Sequence, residues 1–262
     1  MYDSHEYFCG VPELINRPGV QSVWHRVEKY IFPKLKTVYT VNDSIAEMYH
    51  QEYNVDVKVV RNVPVRIEEV PRETRKDLGL PENIPIILYQ GAGINIERGV
   101  EELVESMKYL ENVLLLIIGS GDVIEKVKEI AQQNEIKSKV KFIGKLPFAE
   151  LRKYAHIATL GVTIDKDLSP NYRLSLPNKL FDYLHAGLPI LSSILPEVMK
   201  IMNDYKVGTY IENHHPEHIA GRIKFMLSDP EQLSTWKTNA LEAAKTFNWQ
   251  NEEKMLEKIY NI

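Results

Sequence analysis

Short apolar runs alternate with helical patterns along most of the chain. Pro85–Tyr89 and Val113–Ile118 are nearly continuous apolar stretches, of the kind that form strands buried on both faces. Val140–Ile143, Ile157–Ile164, Ile190–Ser193 and Val207–Ile211 repeat the pattern further along. Between them, apolar positions recur at helical spacing from about Arg98 to Tyr109, from Asp122 to Asn134 and from Pro147 to Tyr154. Further helices are predicted from Pro196, Pro216, Pro230 and Trp249. Strands alternating with helices predict an α/β fold, a parallel sheet with helices on both faces. A shorter run of the same kind comes first: a strand at Thr37–Val41, a helix capped by Asn42 or Asp43 and running to Tyr53, and a strand at Asp56–Val60. Residues 1–20 are irregular, and the charged stretch between Pro64 and Pro71 reads as a linker.

Two helices stand out. Residues 20–35 place Val23, Val27, Tyr30 and Ile31 on one side, among Trp24, Arg26, Lys29, Phe32, Lys34 and Lys36. A basic, aromatic helix of this kind can lie on an anionic membrane, but the pattern favours a buried inter-helix face. The second helix lies in the stretch Ser175–Ser193. Ser175 is expected to cap it, Pro177 suits its first turn, Gly187 ends it, and Pro189 prevents it from resuming. Asn178, Lys179 and Asp182 sit near its N-terminal end, where unpaired N–H groups and a partial positive charge favour an anion. Lys179 adds a full charge, and Asp182 could accept two sugar hydroxyls. The same pair could also merely support a surface helix.

Composition narrows the function classes. Of 262 residues, 44% are hydrophobic and 26% charged, ordinary for a soluble globular chain. A net charge of −4 gives no electrostatic case for nucleic acid. Cys9 is the single cysteine, which excludes a disulfide framework and a cysteine-rich metal site. There is neither a span of membrane length nor a signal-peptide pattern, which fits a cytoplasmic chain. His214, His215 and His218 are close enough to hold a metal, but Pro216 opens a helix between them, so no metal is assigned. The turns Gly91-Ala92-Gly93 and Gly119-Ser120-Gly121 have isoleucines, Ile96 and Ile124, where a dinucleotide fingerprint needs its third glycine. No P-loop is present either.

The stretch around Asp182 resembles the donor-site helix of family 4 retaining glycosyltransferases, in which a carboxylate precedes an Ala-Gly-x-Pro turn. Here Asp182 precedes Ala186-Gly187-Leu188-Pro189. The resemblance covers nearly the whole chain. It implies a GT-B fold, with a partial N-terminal acceptor domain at 1–65, a complete nucleotide-sugar domain at 66–235, and helices at 236–262 that pack back on the first part. It also implies that the first strand–helix units of the N-terminal domain are missing. His5, in Tyr2-Asp3-Ser4-His5-Glu6, resembles a histidine facing the donor sugar. Arg98 before Gly99 resembles the basic residue that holds the donor pyrophosphate. The family's second basic residue, five positions earlier, is Gly93 here, and Lys179 stands in as the replacement charge.

His5, Arg98 and Lys179 are therefore the expected catalytic residues, and Gly91, Gly93, Gly144, Lys145, Asn178, Asp182, Ser193 and Glu197 the expected donor-binding ones. The family's first carboxylate, eight positions before Asp182, is replaced by Leu174. What the resemblance implies is transfer of a sugar from a nucleotide diphosphate, with retention and no cofactor, in cell-surface polysaccharide biosynthesis. The expected partners are the nucleotide sugar and a saccharide or lipid-linked acceptor, with peripheral membrane contact and self-association through exposed apolar surface. Two other readings stay open: a non-hydrolysing nucleotide-sugar epimerase, and a truncated module that binds nucleotide without turnover.

Overall fold

The structure is a computed structural model that describes residues 1–260. Its main body is a six-stranded, all-parallel sheet made of β4 (Ile86–Gly91), β5 (Leu114–Gly119), β6 (Val140–Ile143), β7 (Leu160–Thr163), β8 (Ile190–Ser193) and β9 (Gly208–Ile211). The strand order is β6-β5-β4-β7-β8-β9. Alternate residues point to opposite faces, so Ile87 and Tyr89 enter one core while Ile86 and Leu88 enter the other. Helices α4 (Val100–Ser106), α5 (Ile124–Ile130) and α10 (Pro216–Leu227) cover the first face. The second is covered by α6 (Phe148–Ile157), α8 (Asn178–Ala186), α9 (Pro196–Tyr205) and α11 (Pro230–Thr246). Burial on both faces explains why the strands read as unbroken apolar runs. Ile157, expected to open a strand, instead ends α6, and β7 begins at Leu160.

A second parallel sheet, in the order β1-β2-β3, consists of β1 (Tyr2–Ser4), β2 (Val38–Thr40) and β3 (Val57–Val59). Beside it lie α2 (Pro18–Ile31) and α3 (Asp43–Tyr53), over a small aromatic core of Tyr7, Phe32, Tyr49 and Tyr53. Helix α12 (Trp249–Tyr260) returns to this part: Trp249 N–H donates to Pro64 O at 2.9 Å, and Arg61 N–H donates to the Glu252 carboxylate at 2.9 Å. Helix α11 runs unbroken across residue 235 and buries Ala240, Ala243 and Ala244 in the core of the larger sheet.

Helix α2 corrects the sequence expectation. Its apolar side faces outward, with Val23 54% and Tyr30 71% exposed, and its buried residue is Glu28. The inversion has a polar cause. Glu28 accepts from the Cys9 thiol at 3.1 Å and from the Tyr53 hydroxyl at 2.6 Å, and Gln21 donates to Cys9 O at 2.8 Å. Buried polar groups are costly unless paired, so the side of the helix that finds partners is the one turned inward.

Candidate functional site

The chain leaves β4 toward β5 and β6 on one side, then returns to place β7 on the other. The point where the order reverses lies between β4 and β7, and in open parallel sheets ligands bind outside the strand ends at such a point. Gln90, at the end of β4, and Asp165, just past β7, stand there, and both are buried.

Asp165 organises the floor of the site. One carboxylate oxygen is 2.5 Å from Arg98 Nη1 and the other is 3.4 Å from Lys179 Nζ. The Asp165 side chain is 0% exposed. Burial lowers the Lys179 ammonium from its ordinary value, while Asp165 pulls the other way. Burial is the largest single pull on the Arg98 guanidinium and lowers it, but the Asp165 charge and hydrogen bond, together with Tyr172 and Tyr89, outweigh it and the group ends above its ordinary value. Arg98 lies 4.4 Å from the ring centroid of Tyr172, and Lys179 lies 4.3 Å from that of Tyr89. Two cations against one anion leave a surplus positive charge at the N-terminus of α8, an arrangement suited to a diphosphate. Arg98 Nε is buried without a partner.

Helix α8 differs from expectation at its start. Pro177 occupies the N-cap position, and the Ser175 hydroxyl donates to Tyr172 O at 2.9 Å, closing the preceding turn. The first N–H groups of α8 therefore have no side-chain cap. Nor do Lys179 and Asp182 pair with each other: Lys179 turns to Asp165, and Asp182 accepts from Gln90 Nε2 at 2.7 Å. Burial pushes the Asp182 carboxyl up to about 7, against the lowering effect of the Gln90 bond.

Two adjoining cavities share Gln90, Gly91, Ala92, Asn178 and Lys179. One, of about 340 Å³, also takes in His5, Gly93 and Arg98, and spans the space between the two sheets. The other, of about 220 Å³, adds Gly119, Lys145 and Asp182. Eight of the eleven residues singled out from sequence thus line this pair (His5, Gly91, Gly93, Arg98, Lys145, Asn178, Lys179 and Asp182). His5 is exposed, its Nε2 3.2 Å from an Asp3 carboxylate oxygen.

The other three lie outside the two cavities. Gly144 faces open space. Ser193 Oγ is 3.3 Å from His214 Nε2, which also reaches Ile164 O at 2.8 Å. Glu197 is buried, accepting from Lys200 one turn on and from Ser44 of α3, so it ties the two sheets' units together. The neighbouring histidines do not converge either, since His218 turns to Glu212 at 2.6 Å.

Gly119 is held tightly. Its φ is +141°, and a Cβ there would lie 1.8 Å from Gly91 O. Gly119→Ala is expected to cost about 2–4 kcal/mol through backbone strain and the displaced cavity wall. A urea melt checks this by its lowered midpoint at unchanged slope.

The fold and site together define an α/β protein with two parallel sheets facing a cleft, and a cation pair at a strand-order reversal in the larger one. Residues 71–243 match the family described as glycosyl transferases group 1, and the chain belongs to that family. An uncharacterised glycosyltransferase of Methanocaldococcus jannaschii is 27% identical over 192 residues, covering 72% of this chain and 47% of the relative. The chain spans about half the length of the curated relatives it matches. Sucrose-phosphate synthase of Thermosynechococcus elongatus superposes with a TM-score of 0.77 at 20% identity, over 92% of this chain and 61% of that one. HepE of Anabaena, in complex with UDP, superposes with a TM-score of 0.79 at 14% identity, over 100% of this chain and 72% of that one. The same protein in complex with UDP-glucose gives 0.74 at 13% identity, over 91% and 67% of the two chains. The architecture is of the GT-B type. Among the described residues, no helix is long and apolar enough to cross a membrane.

Proposed function

We propose that this chain carries the donor site of a retaining glycosyltransferase that uses a nucleotide-diphosphate sugar. The observation that carries the reading is the Arg98–Asp165–Lys179 cluster at the open start of α8. The diphosphate sits against Arg98, Lys179 and the first N–H groups of α8, and the nucleoside extends toward Asp182 and Lys145. As the bond from anomeric carbon to phosphate oxygen breaks, negative charge grows on the leaving diphosphate. Fixed cations and helix N–H groups aimed there stabilise that charge without reorganising. The leaving phosphate takes the acceptor's proton on the face it leaves, so the acceptor oxygen enters on that face and configuration is retained. No carboxylate nucleophile is needed, which accommodates Leu174 at the family's first acidic position. His5 faces the sugar from the smaller sheet, the side where a saccharide or lipid-linked acceptor enters. The Pro177-x-Lys179-Leu180-Phe181-x-Tyr183 stretch supports a role in cell-surface polysaccharide assembly.

The test is incubation with UDP-glucose and a saccharide acceptor, followed by assignment of the new linkage by proton NMR. An α-linked product is expected. A β-linked product overturns retention, and an epimerised sugar or binding without any product overturns transfer.

A further inference from the structure

Gln90 was not singled out by the sequence, and the donor-site chemistry above does not use it. It is 2% exposed, yet it borders both halves of the cleft and a third cavity behind α8. Its backbone is fixed by β4 pairing and by the Tyr183 hydroxyl, 3.3 Å from its N–H and also within reach of Leu88 O and Val162 O. The backbone from which its side chain departs is therefore fixed. Its Nε2 donates to Asp182 Oδ2 at 2.7 Å, while its Oε1 is buried with no partner. An orphaned buried acceptor is costly, and at the edge of an open cleft a ligand donor is one group that can complete it.

We propose that Gln90 is the positioning residue of the donor site: its Nε2 orients the Asp182 carboxylate toward the nucleoside ribose, and its unpaired Oε1 receives a ribose hydroxyl. The inference rests on the donor-site reading above. An ionised carboxylate can only accept. The Gln90 bond fixes the carboxylate through Oδ2, Oδ1 stays available to a ribose hydroxyl, and the Gln90 carbonyl supplies a second acceptor beside it. A nucleotide that lacks the 2′-hydroxyl leaves one of these acceptors unmet. The pair should therefore discriminate ribose from deoxyribose, as buried polar sites reject analogues lacking a hydrogen-bonding group. The charged groups facing the two cavities that Asp182 lines are Glu69 of the linker, Lys145 after β6, Arg152 and His156 of α6, Lys179 and His185 of α8, and Lys237 of α11. None of them is hydrogen-bonded to Asp182, which accepts from the side chain of Gln90 instead.

The experiment titrates the full chain with UDP and with 2′-deoxy-UDP by calorimetry. The wild type should prefer UDP by roughly ten- to hundredfold. Gln90→Met, similar in volume but without amide atoms, should weaken UDP and bring the preference close to unity. Gln90→Glu provides the second test in case the methionine variant fails to fold. It keeps the shape and shares one proton with Asp182, so the preference should survive in mild acid and vanish in alkali. Asp182 itself titrates near 7, so the wild-type preference over the same pH range is the reference, and a steeper loss in Gln90→Glu is the result that assigns the role to position 90. Wild-type binding with the same preference in both variants overturns the role of Gln90 and leaves the donor site standing. Failure of the wild type to bind UDP, GDP or ADP overturns both together.

Discussion

Asp182→Asn is expected to make the empty protein more stable and a poorer binder of nucleotide. The folded carboxyl titrates near 7 against an ordinary 3.8, because burial disfavours its charged form. Between those values the folded state binds more protons than the unfolded one, so stability falls as pH rises from about 4 to 7. The gap is worth at most about 4 kcal/mol, and relaxation should leave about 2 kcal/mol to be recovered by asparagine at pH 8. Below about pH 4 both states are protonated and the advantage should disappear. Loss of the charged acceptor should meanwhile weaken UDP by roughly ten- to hundredfold. Urea melts across this pH range, paired with calorimetry, check both halves. An unchanged or lowered stability at pH 8 would contradict the burial argument.

The second large effect concerns Asp165, which has no exposed side-chain surface and compensates two partly buried cations. Removing one member of a buried charge cluster leaves the others unpaired, at a cost of about 3–5 kcal/mol. Asp165→Ala should lose stability of that order. Much of the loss should return in excess UDP, because the diphosphate supplies the missing negative charge and binding adds stability by mass action. Urea melts with and without UDP measure this. A loss that UDP does not relieve would place Arg98 and Lys179 away from the phosphates.

The larger sheet was legible because its strands, buried on both faces, leave short apolar runs such as Pro85–Tyr89, bounded by turn residues, as covered parallel strands do. Arg98, Lys179 and Asp182 were legible because glycines and prolines mark the turns beside them. Asp165 and Gln90 were not. Each is one polar residue at the end of an apolar run, and its importance comes from the order of strands, which a linear pattern does not encode. Asp165 did leave a signal: the run Leu160-Gly161-Val162-Thr163-Ile164 stops on an acid at a strand's carboxyl end. A Lys179–Asp182 pair stood as the alternative because i, i+3 spacing brings Asp182 within reach, and only the fold reveals the partner of Lys179 across the site. The inversion of α2 was hidden for a similar reason. Its apolar stripe is clear in sequence, but the partners that draw Glu28 inward come from Cys9 and Tyr53, distant in the chain.

The measurement that bears most directly on the proposed donor site is calorimetric titration of the full chain with UDP, repeated on Lys179→Ala. Saturable one-to-one binding is expected, weakened roughly ten- to hundredfold by loss of the ammonium. Binding of equal strength in the variant would contradict the placement of the diphosphate at the start of α8.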